Sequence, residues 1–323
     1  MSSTVGLLSG PTPVQDADRL GAAIGLRPGR LWIKRDDLTP LAGGGNKVRK
    51  LDHLCAAALD AGADVLVTGG GAQSNHVRLT AAAGCRLGLD VVAVFSGEAP
   101  PNASGNIVID ALFGLTMIWT GKSTFPDLEA EIANVSNRLA ASGRRPYQIP
   151  IGGADPVGSQ GYVVAAAELQ AQVPEFDLAI VPAGSGGTHA GLVAGFGDHE
   201  RVLGVNVGAF QDVAERVARL ADQTAALAGR PNPSGSAQVD ERYMAAGYGA
   251  EVEAVRAAMR LAARTEGLVL DPIYTGKALA ALVAGISEGS IDARMRIIFV
   301  HCGGAYGLLS TRYSNWIADW TPS

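Results

Sequence analysis

Short runs of β-branched and other apolar residues alternate along this chain with longer stretches rich in alanine and leucine. The runs have the length of buried strands, and the stretches have the length of helices. Predicted strands cover residues 31–34, 65–68, 91–95, 117–120, 178–182, 202–207 and 297–301. Predicted helices cover residues 47–61, 75–87, 105–113, 127–142, 158–171, 188–197, 213–227, 250–265 and 276–287. This alternation predicts an α/β fold with parallel sheets flanked by helices on both faces.

Ligands in such folds bind beyond the carboxyl ends of strands, and the strand predicted at 65–68 ends in a run of glycines at 69–71. Ser74 or Asn75 then suits the N-cap of the next helix. The free N–H groups of that first turn would bind a carboxylate or another small anion. The segment therefore predicts an anion-binding turn.

A second glycine turn follows the strand predicted at 178–182. Its residues are Gly184, Ser185, Gly186, Gly187 and Thr188. Backbone N–H groups and hydroxyls arranged in this way form a cup suited to a phosphate. The dinucleotide-binding pattern fails here because His189 stands where it requires a third glycine, and a phosphate loop of the Walker type would need a following lysine. A single small phosphoester fits the turn better.

Lys47 follows three consecutive glycines, residues 43–45, and opens a predicted helix. The positive end of the helix dipole and burial both lower the pKa of a lysine, so part of it is a neutral nucleophile near pH 7. Such an amine forms Schiff bases with aldehydes. A reactive amine and a phosphoester cup in one chain together point to pyridoxal 5′-phosphate.

Composition and residue spacing argue against several other classes of protein. The net charge is −5 and no long basic block occurs, which argues against a nucleic-acid partner. No segment has about 18 uninterrupted apolar residues, and the N-terminus lacks the features of a signal peptide, so a cytoplasmic protein without a membrane partner is predicted. Cys55, Cys85 and Cys302 are widely spaced thiols that suggest neither disulfides nor a zinc site. The histidines show no metal-ligand spacing, and no metal is expected.

Five segments resemble, in order, those of the D-cysteine desulfhydrase and 1-aminocyclopropane-1-carboxylate deaminase family. They are residues 34–38, 44–47, 73–78, 184–188 and 270–278. The resemblance covers nearly the whole chain. It implies a two-lobed fold-type II pyridoxal-phosphate enzyme, similar to the β subunit of tryptophan synthase. It also implies a large cofactor lobe formed by residues 1–51 and 156–323, a small lobe of residues 52–155, and a homodimer.

The same resemblance implies roles for individual residues. Catalytic residues would be Lys47, Ser74, Tyr248 and Tyr274. Lys47 would carry the cofactor, with Asn46, Gly184, Ser185, Gly186, Gly187, Thr188 and Thr275 also binding it. Ser74, Asn75 and His76 would receive the carboxylate of a small amino-acid substrate. Lys277, inside the last matched segment, is expected to be a solvated helix lysine.

Thr275 distinguishes the two branches of the family. By resemblance it faces the pyridine nitrogen, where the deaminase branch has a glutamate. A hydroxyl cannot stabilise a pyridinium as a carboxylate does, so the ring is a weaker electron sink and expulsion of a β-substituent is favoured over ring opening. His76, where the deaminase branch tends to have glutamine, agrees with this choice. Cys302 stands where the family commonly has threonine, and its role stays open.

The predicted function is therefore D-cysteine desulfhydrase activity, which gives pyruvate, ammonia and sulfide. Elimination from L-cysteate and β-replacement with an added nucleophile stay open as alternatives, and ring-opening deamination is disfavoured by Thr275. A non-catalytic binder that kept the fold is a further alternative, against which the intact Lys47, Ser74 and Tyr274 speak. The residues leave open the stereochemistry of the substrate, its leaving group and the size of the oligomer.

Overall fold

A computed structural model describes residues 4–122, 124–244 and 246–318. The strands are β1 Val14–Asp16, β2 Leu31–Arg35, β3 Val65–Gly70, β4 Asp90–Phe95, β5 Thr116–Trp119, β6 Pro146–Gln148, β7 Leu178–Ala183, β8 Val202–Asn206, β9 Gln238–Asp240 and β10 Ile297–His301. The helices are α1 Asp18–Ala23, α2 Lys47–Asp60, α3 Asn75–Leu87, α4 Asn106–Leu112, α5 Phe125–Ala141, α6 Pro156–Gln172, α7 Gly187–Phe196, α8 Val213–Leu227, α9 Glu253–Glu266, α10 Thr275–Glu288, α11 Ala305–Leu308 and α12 Thr311–Ala318.

Every strand and helix predicted from the sequence is present, with ends displaced by at most three residues. The prediction omitted six elements. Three of these, β1, β6 and β9, have three residues each, which is too short for hydrophobic alternation to be recognised. The others are the short helices α1, α11 and α12.

The strands form two sheets. The larger has the order β1-β2-β10-β7-β8-β9 and is parallel except for the antiparallel pair of β1 and β2. The smaller has the order β5-β4-β3-β6 and is parallel throughout. Parallel sheets need helices on both faces, which the alternating sequence supplies.

Alternation along β7 shows how the larger sheet is covered. Leu178 and Ile180 join a core that includes residues of α1, α9 and α10. Ala179 and Val181 point to the other face and join a core with residues of α6, α7 and α8. Both faces of the strand are therefore apolar, as expected for a central strand of a parallel sheet.

The strands of the smaller sheet all lie between residues 65 and 148, inside the range predicted for a small lobe, and those of the larger sheet lie outside that range. We therefore propose lobes of residues 1–51 with 156–323 and of residues 52–155; the first three and last five residues lie outside the described ones. No helix in the described part of the chain is both long and apolar enough to span a bilayer.

A buried network of charged and polar side chains fixes α2 against the larger sheet. Arg49 of α2 donates to Asp36 Oδ1 at 2.9 Å and to Glu168 Oε2 of α6 at 2.9 Å. Tyr162 donates to Asp36 Oδ2 at 2.5 Å, and Lys34 of β2 forms an ion pair with Glu168. Arg49 is two residues from Lys47, so the network lies close to the start of the helix that carries Lys47.

Candidate active site

A cleft with an empty volume of about 730 Å³ lies at the carboxyl ends of β3, β7 and β10. The predicted site residues that line it are Asn46, Lys47, Ser74, Asn75, His76, Gly184, Ser185, Gly186, Gly187, Thr188, Tyr248 and Tyr274. Thr275 is the one predicted site residue that does not line it. Segments far apart in sequence thus meet where open α/β sheets bind ligands.

Lys47 begins α2, and its Nζ donates to the carbonyl oxygen of Gly152 at 3.3 Å. Loss of solvent in the cleft lowers the pKa of this amine. The loop before it requires glycine: Gly44 has φ +79°, and a Cβ there would lie 1.8 Å from the carbonyl oxygen of Asp37. The glycine run therefore lets the chain pack closely and deliver the amine into the cleft.

Lys50 is a cleft residue that the sequence analysis missed. Its Nζ donates to the same Gly152 oxygen at 3.1 Å. Burial, followed by the charge of Lys47, holds the pKa of Lys50 well below its usual value. A Cβ on Gly187 would lie 2.7 Å from this Nζ, which places the amine beside the first turn of α7. Lys50 could have been identified from the sequence, because it lies three residues after Lys47 and a spacing of three puts two side chains on one face of a helix.

The glycine turn after β7 leads directly into α7. Gly186 has φ +86° at the N-cap, and no side chain of the described residues caps this helix. Its first N–H groups are therefore available to an anion, and Lys50 adds a positive charge beside them. Asn46 donates to the Thr188 hydroxyl at 3.0 Å and ties the two loops together. An uncapped helix start, a buried lysine and the Lys47 amine fit the phosphate and the aldehyde of pyridoxal phosphate.

The turn after β3 has the structure that the sequence predicts. Ser74 Oγ accepts from the Val77 N–H at 3.2 Å and is the N-cap of α3. Asn75 Oδ1 accepts from Asn106 Nδ2 at 3.1 Å, which fixes the amide of Asn75. Both residues lie at the cleft wall, on the first turn of a helix suited to a carboxylate.

The hydrogen bonds of His76 define its tautomer. The Thr68 hydroxyl donates to the Ile149 carbonyl oxygen at 2.9 Å, so it accepts from His76 Nε2, also at 2.9 Å. Burial, and then the charges of two nearby lysines, hold the pKa of His76 well below 6.5. The ring is therefore neutral, and its Nδ1 is an acceptor without a partner among the described residues. A substrate carboxylate would accordingly bind the backbone N–H of His76 and not its ring.

Tyr248 and Tyr274 form a hydrogen-bonded pair, with their hydroxyl oxygens 2.7 Å apart. Burial raises the pKa of Tyr248 to about 12 and the pKa of Tyr274 well above its usual value. Both phenols are thus protonated at neutral pH. Since one hydroxyl donates to the other, one proton of the pair is left to donate to a ligand in the cleft.

The Thr275 hydroxyl interacts with Asp271 instead of the cleft. It donates to Asp271 Oδ1 at 2.6 Å and accepts from the Asp271 N–H at 3.0 Å. Its contact with a ring nitrogen stays a prediction from the resemblance. Cys302 does line the cleft, and burial raises the pKa of its thiol, which is neutral.

The expectation that Lys277 is a solvated helix lysine is wrong. Its side chain is fully buried. Its Nζ donates to the carbonyl oxygens of Val207 and Gly247, each at 2.9 Å. The sequence motif correctly places Lys277 on a helix. Its burial results from the loops of Val207 and Gly247, which the fold packs against it.

Comparison with known proteins identifies the family of the chain. The family profile described as "Pyridoxal-phosphate dependent enzyme" matches residues 5–303. A D-cysteine desulfhydrase of Salmonella choleraesuis (strain SC-B67) is 40% identical over 318 residues, covering 94% of each chain. A crystal structure of an ACC deaminase homologue has a TM-score of 0.90 and 35% identity, covering 98% of this chain and 95% of that one.

A more distant structure shows how general the fold is. The processed form of threonine deaminase isoform 2 from Solanum lycopersicum has a TM-score of 0.66 at 16% identity, covering 95% of this chain and 87% of that one. The fold-type II architecture predicted from the matched segments is thereby confirmed, as are the family resemblance and the cofactor. The chain belongs to the pyridoxal-phosphate dependent enzyme family.

Proposed function

We propose that the protein is a carbon–sulfur lyase that converts D-cysteine and water to pyruvate, ammonia and sulfide. The observation that carries the proposal is the meeting of the Lys47 amine, an uncapped glycine turn and a pair of hydrogen-bonded tyrosines in one cleft. The 40% identity to a D-cysteine desulfhydrase over most of both chains supports the choice of substrate.

The cleft offers separate places for the parts of the cofactor. Lys47 Nζ would hold its aldehyde carbon, while Lys50 and the first N–H groups of α7 would hold its phosphate. Bound there, pyridoxal phosphate supplies an electron sink for the negative charge that develops at the substrate Cα. The donors of the cup are already oriented by the turn, so binding the phosphate there would need little reorganisation of the protein.

The substrate would be oriented at the start of α3. Its carboxylate would accept from the N–H groups of Asn75 and His76, with Ser74 at the same turn. Lys47, once displaced by the substrate amine, would take the Cα proton, since its lowered pKa makes it a base near neutral pH. The phenol pair of Tyr248 and Tyr274 would donate a hydrogen bond from its free O–H to the departing sulfur.

The proposal is tested with purified protein supplied with pyridoxal phosphate. D-cysteine should give equal amounts of pyruvate and sulfide, and Lys47→Ala should abolish both products and the visible absorbance of the lysine-linked cofactor. The exposed Lys122→Ala is the control and should keep both. A panel of L-cysteine, L-cysteate and 1-aminocyclopropane-1-carboxylate separates the alternatives. Turnover of one of these with none of D-cysteine would refute the assignment.

The assembly and location of the enzyme are part of the proposal. A cytoplasmic homodimer that acts on a free amino acid, without nucleic acid, is supported by the resemblance and by the net charge of −5. Cys55, Cys85 and Cys302 are free thiols, in keeping with a reducing compartment. Light scattering on the purified protein tests the dimer, and a monomeric mass would contradict it.

A further inference from the structure

Lys277 occupies a position that costs stability. It is the third residue of α10, close to the positive end of the helix dipole, and its side chain is fully buried. Burial lowers its pKa to about 8, with the charge of Asp271 opposing the shift. Within the described residues its Nζ bonds to no carboxylate and only to backbone carbonyls. Because burial of a lysine at this position destabilises the folded protein, we expect the side chain to have a specific role.

The two carbonyl acceptors come from loops that meet at the cleft wall. Val207 follows β8, and its N–H donates to the Ala183 oxygen at 3.1 Å, next to the phosphate cup. Gly247 directly precedes Tyr248. A Cβ on Gly208 would lie 2.8 Å from the carbonyl carbon of Gly247, so the two backbones are in contact. Lys277 bridges the loops at the point where they touch.

One turn of α10 therefore holds the loop of residues 246–249 by two contacts. Tyr274 reaches the Tyr248 hydroxyl at 2.7 Å, and Lys277, three residues later, reaches the carbonyl of Gly247 at 2.9 Å. On the far side, the Tyr313 hydroxyl donates to the Gly249 oxygen at 2.7 Å. The loop is tied on both sides of its tyrosine.

We propose that Lys277 is a positioning residue that clamps the loop of Tyr248 against the phosphate-cup side of the cleft and so fixes the phenol pair. The role in turnover rests on the proposed function of Tyr248. The clamp itself does not depend on the proposed function, because Lys277 would hold the loop whether or not the protein catalyses a reaction.

The first test measures the loop directly by hydrogen–deuterium exchange of the holoenzyme without substrate. Lys277→Met keeps the length of the side chain and removes its donors. We expect faster exchange, on the order of tenfold or more, in peptides that contain residues 207–210 and 246–249. Leu279→Ala, which removes buried packing from the same helix, is the matched control and should leave the early exchange of these peptides unchanged. Equal exchange in Lys277→Met and the native protein would overturn the clamp.

The second test asks whether Lys277 acts through Tyr248, using the amino acid that the enzyme turns over. Lys277→Met should lower kcat on the order of 10- to 100-fold in the native background but hardly at all in Tyr248→Phe. Leu279→Ala should have the same small effect in both backgrounds. Losses that multiply in the double variant would refute action through Tyr248.

The two tests separate failure of the clamp from failure of the proposed function. If D-cysteine is not a substrate, hydrogen–deuterium exchange still tests whether Lys277 clamps the loop. If Tyr248→Phe is fully active, the role of Tyr248 in turnover is refuted while the clamp is judged by exchange. If hydrogen–deuterium exchange is unchanged in Lys277→Met, the clamp is refuted, and the lyase assay of the native protein still tests the proposed function.

Discussion

Two lysines of the cleft share one acceptor: Lys47 and Lys50 donate to the Gly152 carbonyl oxygen at 3.3 and 3.1 Å. Gly152 has φ +68°, a conformation that favours glycine, and a Cβ there would also lie 2.4 Å from Ser185 Oγ. The charge of Lys47 disfavours the charged form of Lys50, and an anion beside the two amines would restore it. The pair is therefore prepared for a ligand that carries both a phosphate and an aldehyde.

Lys50→Met should weaken cofactor binding by roughly 10- to 100-fold, because a charge-assisted hydrogen bond to phosphate is lost. Titration of the apoenzyme with pyridoxal phosphate, followed by fluorescence, measures the change. The exposed Lys122→Met is the control for loss of one lysine. An unchanged affinity would show that the phosphate does not reach Lys50.

Asp110 provides a prediction about pH. It is fully buried, and burial raises its pKa to about 7 against the attraction of Arg78. Between pH 3.8 and 7 the native state holds a proton that the unfolded state has lost, so the free energy of unfolding decreases as pH rises. Asp110→Asn removes this loss. The free energy of unfolding of the variant, relative to that of the native protein, should therefore increase by roughly 1–3 kcal/mol between pH 5 and pH 8.

Urea unfolding at the two pH values measures this difference. Asp16→Asn, at an exposed position, gives the background effect of removing one carboxylate. If Asp110→Asn changes stability by the same amount at pH 5 and pH 8, the raised pKa is wrong.

At the scale of elements, Asp271 sets the start of α10. Its Oδ2 accepts from the N–H groups of Ile273 and Tyr274 at 2.9 and 2.8 Å, and its Oδ1 accepts from the N–H and hydroxyl of Thr275. A carboxylate satisfies the free donors of the first turn and complements the dipole. Through this turn Asp271 also orients Tyr274.

Asp271→Asn should reduce the free energy of unfolding by about 1–2 kcal/mol and should also lower kcat, since an amide offers one acceptor oxygen and no charge. Thermal unfolding and steady-state kinetics report the two effects. Asp198→Asn makes the same change at the half-buried cap of a short 3₁₀ turn, and kcat should be unchanged there. Full activity of Asp271→Asn would show that Tyr274 is oriented by other contacts.

The sequence predicts most of these elements because parallel strands are short apolar runs and the helices between them are longer. It also predicts the two glycine turns at the cleft, since runs of glycine follow the strands predicted at 65–68 and 178–182. Tyr248 and Tyr274 required the family resemblance, because a single tyrosine has no local pattern. The burial of Lys277 was not predictable, since it depends on carbonyls 70 and 30 residues away. β9 was missed because its three residues are too few for hydrophobic alternation to be recognised, and only its pairing with β8 identifies it as a strand.

At the scale of the whole molecule, the buried network around Arg49 joins β2 and α2 to α6, which lies more than 100 residues further along the chain. Burial disfavours the charged form of Asp36, but Arg49, Tyr162 and Thr12 hold its pKa below the usual value. A depressed carboxyl pKa contributes stability that is present above pH 3.8 and is lost as the pH falls through the native-state value.

Arg49→Met should destabilise the protein by about 3–5 kcal/mol at pH 7, because it leaves Asp36 and Glu168 buried without their shared partner. The loss should shrink at acid pH as Asp36 becomes protonated. Urea unfolding from pH 3 to 7 measures both effects. Arg138→Met, which breaks an exposed ion pair with Glu131, should change little. A small, pH-independent effect of Arg49→Met would contradict the network.

The strand order of the larger sheet has a consequence for biosynthesis. β10, which comes after the other nine strands of the described residues in sequence, lies between β2 and β7, and the Cys302 carbonyl accepts from the Asn46 N–H at 3.0 Å. On the ribosome, the smaller sheet can pair soon after residue 148 emerges, whereas the larger one waits for residue 301. The nascent polypeptide thus carries one sheet that can already pair and one that cannot, and Lys47 acquires its full surroundings only after residue 301 has been made.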